Sequence, residues 1–158
     1  MKLKHSHVAS LVVILTLFVL FYGIFVKYKL NINEECSPMK FFDANIMQLA
    51  KENTYFRKEV VTGEYSQVVL MSVQPGEDVG KEIHQVDQTL FFIEGNGQAV
   101  LDEEKNEVGP GSLVFVPAGM SHNFINTGNI PLKLITVYAP AEHKPGTVHK
   151  TKAEVESR

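Results

Sequence analysis

The sequence has no tryptophan and only one cysteine, Cys36. A single thiol has no partner for an intrachain disulfide, so the composition does not indicate an oxidising compartment. Basic residues do not dominate either, since the formal net charge is −3 at pH 7. Without a basic face, or aromatic residues interleaved with basic ones, no nucleic-acid partner is expected.

Charge is also absent from residues 8–26, which are dominated by Val, Leu, Ile and Phe. At about 1.5 Å per residue, a helix of this length spans roughly 28 Å, close to the hydrocarbon core of a bilayer. The run lacks the small-residue cleavage site of a signal peptide. We therefore expect a membrane anchor in residues 1–30, with a single transmembrane helix over about 8–26. Lysines flank both ends of the run, so neither orientation is favoured.

The remaining sequence predicts a small all-β domain. Residues 31–55 are expected to form a connector and one short helix from Asp43 to about Asn53, capped by Asp43. Short apolar segments then alternate with Gly, Pro and Asn turn signals, which is typical of a sandwich or small barrel. The barrel is expected at 56–140 and a C-terminal tail at 141–158. The expected strands are Phe56–Thr62, Gln67–Val73, Thr89–Ile93, Gln98–Leu101, Leu113–Val116, Asn123–Asn126 and Leu132–Tyr138.

One motif lies on a predicted strand–turn–strand that begins at Gly111. It reads G-x5-P-x-G-x2-H-x3-N, with Pro117 and Gly119 in the turn and His122 soon after it. Proline restricts φ and glycine permits φ > 0, so the turn has a defined geometry. A rigid turn that presents one imidazole is suited to holding a ligand.

A second motif begins at Gly76 and reads G-x5-E-x-H-x3-Q-x6-G, with Glu82, His84 and Gln88 at its polar positions. Because side chains alternate along a strand, Glu82 and His84 share a face, and His122 can approach from a neighbouring strand. One carboxylate and two imidazoles leave open positions on a first-row divalent metal such as Fe, Mn, Ni, Zn or Cu. Gln88 supplies a neutral oxygen or a hydrogen bond to a bound ligand. The alternative is a metal-free barrel in which these groups satisfy one another.

Together the two motifs resemble the signatures of the cupin superfamily, over residues 56–138. The first family signature is G-x5-H-x-H-x3-4-E-x6-G, so Glu82 stands in a histidine position and Gln88 in the glutamate position. The chain is most similar to the small single-domain cupins labelled mannose-6-phosphate isomerase-like. This resemblance implies a double-stranded β-helix, or jelly roll, that forms a homodimer. It also implies a divalent metal held by Glu82, His84, His122 and Gln88.

Three functional hypotheses follow. The first is a metal-dependent enzyme, isomerase-like or dioxygenase-like, that acts on a small polar or sugar-like ligand; no general base is identified. The second is a membrane-tethered module that binds or senses such a ligand without turnover, and the third is a metal-free structural dimer. Other residues receive plainer interpretations. Phe91, Phe92 and Phe115 are expected in the core, Asp87 is expected to orient a turn, and His143 to anchor the tail or be exposed.

Overall fold

The computed structural model describes residues 20–22 and 41–156. The chain divides into two compact units, residues 1–42 and 43–158. In the first unit, residues 20–22 are helical and their side chains are exposed. The second unit contains all the β-structure that is described.

The prediction of a transmembrane helix is wrong for the chain as the structure describes it. Among residues 20–22 and 41–156, no helix is long and apolar enough to cross a membrane. A crossing takes about 20 mainly apolar residues in one helix, whereas the helices of the second unit have 7 and 4 residues. The rest of the predicted span, 8–19 and 23–26, lies outside the described residues. We therefore withdraw the anchor, the membrane partner and the single-pass location.

Two antiparallel sheets form a jelly roll, which confirms the predicted all-β fold of this unit. One sheet has the order β10-β1-β2-β9-β4-β7 and the other has the order β3-β8-β5-β6. The strands are β1 Arg57–Thr62, β2 Gln67–Val73, β3 Glu82–Ile83, β4 Asp87–Glu94, β5 Gly97–Leu101, β6 Glu104–Val108, β7 Leu113–Val116, β8 Ser121–Asn126, β9 Leu132–Ala139 and β10 Val148–His149.

Strand alternation builds the core between the two sheets. Leu90 and Phe92 of β4 point inward and are buried, and the Phe92 ring lies 5.8 Å from the ring of Phe124 on β8. Phe91, between them, is 39% exposed, and Phe115 on the edge strand β7 is 52% exposed. The prediction of a core position is therefore confirmed for Phe92 and wrong for Phe91 and Phe115, which lie on the outward face.

A short helix, α1 (Ile46–Glu52), packs on the outer face of the six-stranded sheet. Its cap is Asn45, whose side-chain oxygen accepts a hydrogen bond of 3.1 Å from the Gln48 backbone N–H. The helix thus begins three residues after the predicted cap, Asp43. Its buried face contributes to a second apolar cluster, made of Ala50, Leu70, Ile93 and Ile135.

The chain after β9 returns to the barrel. Strand β10 pairs with β1, with His149 opposite Arg57, and the Phe56 backbone N–H donates to the Lys150 carbonyl at 3.1 Å. A last helix, α2 (Ala153–Glu156), follows. These pairings keep the tail against the strand that carries Arg57.

Candidate metal centre

Strand pairing brings three of the four predicted site residues together. Glu82 on β3 lies directly opposite His122 on β8, and opposite residues share a face with Cβ atoms about 4.5–5.5 Å apart. His84 follows Glu82 by two residues, and its ring centroid lies 5.2 Å from that of His122. One ligand atom from each of Glu82, His84 and His122 lies within 4.8 Å of the others.

The turn before β8 connects the two sequence motifs. Gly119 has φ +84°, a left-handed conformation that suits glycine. Its backbone N–H donates to the His84 carbonyl at 2.7 Å, and the Ala118 N–H donates to Asp87 Oδ1 at 3.0 Å. Asp87 therefore orients this turn, as the sequence predicts, and the turn fixes the approach of β8 to the segment that carries His84.

His122 presents a buried nitrogen with no partner. Its Nδ1 lies 3.0 Å from the Met120 carbonyl oxygen, which only accepts, so Nδ1 carries the ring proton. Its Nε2 is buried and forms no hydrogen bond within the described part of the chain. Burial lowers the pKa of His122, which favours the neutral ring. A neutral imidazole with a free lone pair is the form that binds a metal.

Glu82 and His84 form the charged part of the cluster. Glu82 Oε1 accepts from Arg57 Nη2 at 3.0 Å, and its Oε2 lies 3.2 Å from His84 Nε2. Burial alone raises the pKa of Glu82, but His84 and Arg57 outweigh it and lower that pKa below its ordinary value. Burial likewise lowers the pKa of His84, but the carboxylates of Glu82 and Glu142 outweigh it and raise that pKa. In this state, the two groups are held as an ion pair.

Gln88 lies inside the barrel on the other sheet. It is 3% exposed, and its Nε2 donates to Thr136 Oγ1 at 3.0 Å. Its Oε1 is buried and has no hydrogen-bond donor among residues 41–156. Among the described residues, Gln88 therefore forms no hydrogen bond with Glu82, His84 or His122, and its Oε1 is available to a ligand.

Sequence reasoning missed four neighbours of the cluster: Arg57, Tyr138, Glu142 and His143. The fully buried Tyr138 ring meets the His84 ring edge-on at 5.5 Å and the His143 ring at 5.1 Å. Burial, together with the positive charges of Arg57 and His84, lowers the pKa of His143 to about 4. The motif spacings do not cover these residues. Tyr138, Glu142 and His143 lie close together in the sequence, and this clustering is the one sequence feature that could have indicated them.

The distance between the ligand atoms of Glu82 and His84 fits a metal bound to both. Imidazole nitrogen and carboxylate oxygen bind first-row metals at about 2.0–2.2 Å. His84 Nε2 and Glu82 Oε2, which are 3.2 Å apart, subtend roughly 100° at a metal about 2.1 Å from both. That angle lies between the octahedral and tetrahedral values. Two imidazoles and one carboxylate are also a ligand set typical of non-haem iron and related sites.

An apolar groove of about 600 Å³ lies at a different place, beside α1 on the outer face of the six-stranded sheet. Its lining includes Ile46, Met47, Phe91 and Val137, and none of the clustered site residues. The groove is therefore separate from the cluster of Glu82, His84 and His122.

Comparisons with known proteins agree with the fold. Residues 69–138 match the sequence model of the family described as "Cupin domain". The uncharacterized protein YrkC of Bacillus subtilis is 46% identical over 120 residues, which are 72% of this chain and 64% of YrkC. The uncharacterized protein L612 of Acanthamoeba polyphaga mimivirus is 36% identical over 109 residues, or 66% of this chain and 68% of L612. The crystal structure of BH2720 from Bacillus halodurans is 42% identical, with a TM-score of 0.74 over 78% of this chain and 98% of that chain.

Proposed function

Because the chain belongs to the cupin superfamily, we propose that its barrel holds a divalent first-row transition metal through Glu82, His84 and His122. The main support is that one ligand atom from each of these residues lies within 4.8 Å of the others. The partnerless Nε2 of His122 adds to it, since buried polar atoms normally have partners. Gln88 supplies a further neutral oxygen inside the barrel.

A bound divalent metal supplies a Lewis acid with open positions for a small polar or sugar-like ligand. The chain's own groups prepare that site. His84 and Arg57 keep the Glu82 carboxylate ionised, and burial keeps His122 neutral. The ligand set suits Fe, Mn, Ni, Zn or Cu. Isomerase-like or dioxygenase-like turnover, and membership of the mannose-6-phosphate isomerase-like group, stay predictions.

Elemental analysis of the full-length chain, purified without a histidine tag, tests the proposal. We expect close to one first-row metal per chain in the wild type and little in His122→Ala, which loses the buried imidazole nitrogen. Asp87→Asn is the matched control, because the amide oxygen still accepts from Ala118 and the metal content stays at the wild-type level. A wild-type chain that holds no metal, even after incubation with each candidate ion, contradicts the proposal.

One observation favours a second candidate, a metal-free module that binds a small ligand without turnover. Both oxygens of Glu82 already have partners, Arg57 and His84, so the charges balance without a metal. Gln88→Glu separates the two candidates, because it adds a charged oxygen inside the barrel. A site that stays empty in both the wild type and Gln88→Glu supports the metal-free module.

We also propose a homodimer, as the family implies. Its support in the structure is the edge strand β7, where Leu113 is 57% and Phe115 is 52% exposed. Light scattering of the full chain is expected to give twice the monomer mass, and Phe115→Glu to lower it. A monomeric wild type at high concentration contradicts this proposal.

A further inference from the structure

The tail reaches the cluster through Glu142. Its Oε1 lies 3.1 Å from Nδ1 of His84, the ring nitrogen opposite the one that faces Glu82. The adjacent residue, His143, is tied to the barrel at both backbone groups: its N–H donates to Gln67 Oε1 at 2.9 Å, and its carbonyl accepts from Gln67 Nε2 at 2.8 Å. Gln67 is itself fully buried. The backbone next to Glu142 is therefore fixed to the barrel, which keeps Glu142 within reach of His84.

This contact engages the nitrogen of His84 that faces away from the candidate ligands. A carboxylate only accepts hydrogen bonds, so the Nδ1 that faces Glu142 carries a proton. The other nitrogen, Nε2, lies 3.2 Å from Glu82 Oε2 and faces the candidate ligands; without a metal it carries the second proton of the ion pair, which a metal would displace. His122 has the same arrangement, with Nδ1 at the Met120 carbonyl and Nε2 without a partner. Both imidazoles thus present Nε2 and have Nδ1 engaged.

We infer that Glu142 is a positioning residue of the metal centre, acting through His84 and not as a ligand. Its carboxylate holds the Nδ1–H tautomer, orients the ring and makes Nε2 a stronger donor. The tail therefore completes the site, and the barrel strands alone do not. This inference rests on the proposed metal binding.

The alternative is an ordinary ion pair that only fastens the tail. Glu142 keeps 30% of its side-chain surface exposed, and pairs with exposed members contribute little to stability. A fastening role predicts that loss of Glu142 leaves metal affinity unchanged. A positioning role predicts a loss of affinity of about 10- to 100-fold, the usual effect of removing such an outer partner.

The test measures the Zn²⁺ dissociation constant of the full chain by competition with a chromogenic chelator. Glu142→Ala is expected to bind about 10- to 100-fold more weakly, whereas Glu142→Gln, whose amide oxygen still accepts from Nδ1–H, recovers most of the affinity. Glu107→Ala is the matched control, because this exposed glutamate lies on the edge strand β6 and accepts a hydrogen bond from Gln98 on the neighbouring strand β5. It is expected to bind Zn²⁺ like the wild type.

A second readout keeps the inference testable if Glu142→Ala does not fold. In the Zn²⁺-loaded wild type and in Glu142→Gln, the Nδ1 proton of His84 is expected to give a protected NMR signal. Equal Zn²⁺ affinity in Glu142→Ala and Glu107→Ala, or an unprotected Nδ1 proton in the wild type, overturns the positioning role while the proposed metal site stands. A wild type that binds no Zn²⁺ or other first-row metal overturns both.

Discussion

The same strands build two different ends of the barrel interior. On β8, His122 and Phe124 are both buried and lie two residues apart, on one face of the strand. On β4, Gln88 and Phe92 share the inward face in the same way. At one end the side chains are apolar, and at the other they are imidazole, amide and carboxylate. Since the backbone is shared, the difference between the two ends lies in the side chains alone.

The two ends contribute differently: the apolar end stabilises the fold, and the polar end is the proposed binding site. At the apolar end, each fully buried large side chain contributes about 1.5–3 kcal/mol by removal from water. At the polar end, His122 Nε2 and Gln88 Oε1 are buried without partners among the described residues. Such groups cost free energy unless something binds them. The polar end therefore lowers the stability of the empty chain, and a bound ligand or metal recovers it.

The largest expected effect is at the apolar end. Phe92→Ala leaves a cavity next to the ring of Phe124, so the free energy of unfolding is expected to fall by about 3–5 kcal/mol. Urea unfolding of the metal-free chain measures it. Metal affinity of the folded variant is expected to stay near the wild-type value. A loss below about 1 kcal/mol would mean that this end is not the stabilising one.

At the polar end, Glu82→Gln is expected to destabilise the metal-free chain by about 2–3 kcal/mol. The reason is that Arg57, which is 4% exposed, keeps its charge but loses the opposing charge of Glu82, although the amide oxygen can still accept its hydrogen bond. Urea unfolding in the presence of a chelator measures the loss. Glu107→Gln, at an exposed position on β6, is the control and is expected to change stability by less than about 0.5 kcal/mol. Equal effects of the two substitutions would contradict the account.

Gln88→Glu is expected to raise the affinity of the polar end for a metal. A charged oxygen replaces a neutral one, so the metal is expected to bind about tenfold more tightly, equivalent to about 1.4 kcal/mol. The metal-free variant is expected to be less stable, because the new carboxylate is buried. Chelator competition and urea unfolding measure the two effects. If Gln88→Glu binds the metal more tightly and its metal-free form is as stable as the wild type, metal affinity and metal-free stability are not opposed as proposed.

The smallest effect is a dependence on pH that belongs to the polar end. The raised pKa of His84 stabilises the metal-free fold below its unfolded value of about 6.5, and this contribution is lost as pH rises through the folded pKa. The lowered pKa of Glu82 stabilises the metal-free fold at pH values above about 4.3, and this contribution to stability is lost as pH falls through the folded pKa. The pair is therefore most stabilising between about pH 4.3 and 6.5.

The difference in melting temperature between the wild type and Glu82→Gln measures this dependence, since contributions common to both chains cancel. The low pKa of His143 has the opposite effect on stability, because a neutral buried imidazole opposes folding in acid; its largest cause, burial, is present in both chains. The difference is expected to be largest in that window and to shrink above it. A difference that does not change between pH 5 and 9 would contradict the assignment.

The sequence predicted those parts of the fold that local patterns specify. Strands with apolar residues bounded by turns, such as Gln67–Val73 and Leu113–Val116, have the predicted bounds. Strand β6 was missed because its first four residues are polar and exposed, and only its pairing with β5 makes it a strand. The transmembrane prediction rested on hydropathy and length alone, without any tertiary contact to support it.

The same limit applies to the candidate site. Glu82 and His84 are two residues apart and His122 lies in a spaced motif, so strand alternation predicts their meeting. Arg57 lies 25 residues before Glu82 in the sequence, and its contact exists only because strands far apart in sequence form one barrel. Glu142 reaches His84 because the tail folds back. The spacing of residues along the sequence predicts neither the contact of Arg57 with Glu82 nor that of Glu142 with His84.

The central claim is that the polar end of the barrel is a metal centre. An anomalous difference map, from crystals of the full-length chain grown with Zn²⁺ and measured at the zinc absorption edge, tests it most directly. We expect one strong peak within about 2.0–2.2 Å of Nε2 of His84, Nε2 of His122 and a Glu82 oxygen. A map with no peak there, or with zinc only at other side chains while these three residues keep their ion pair, would contradict it.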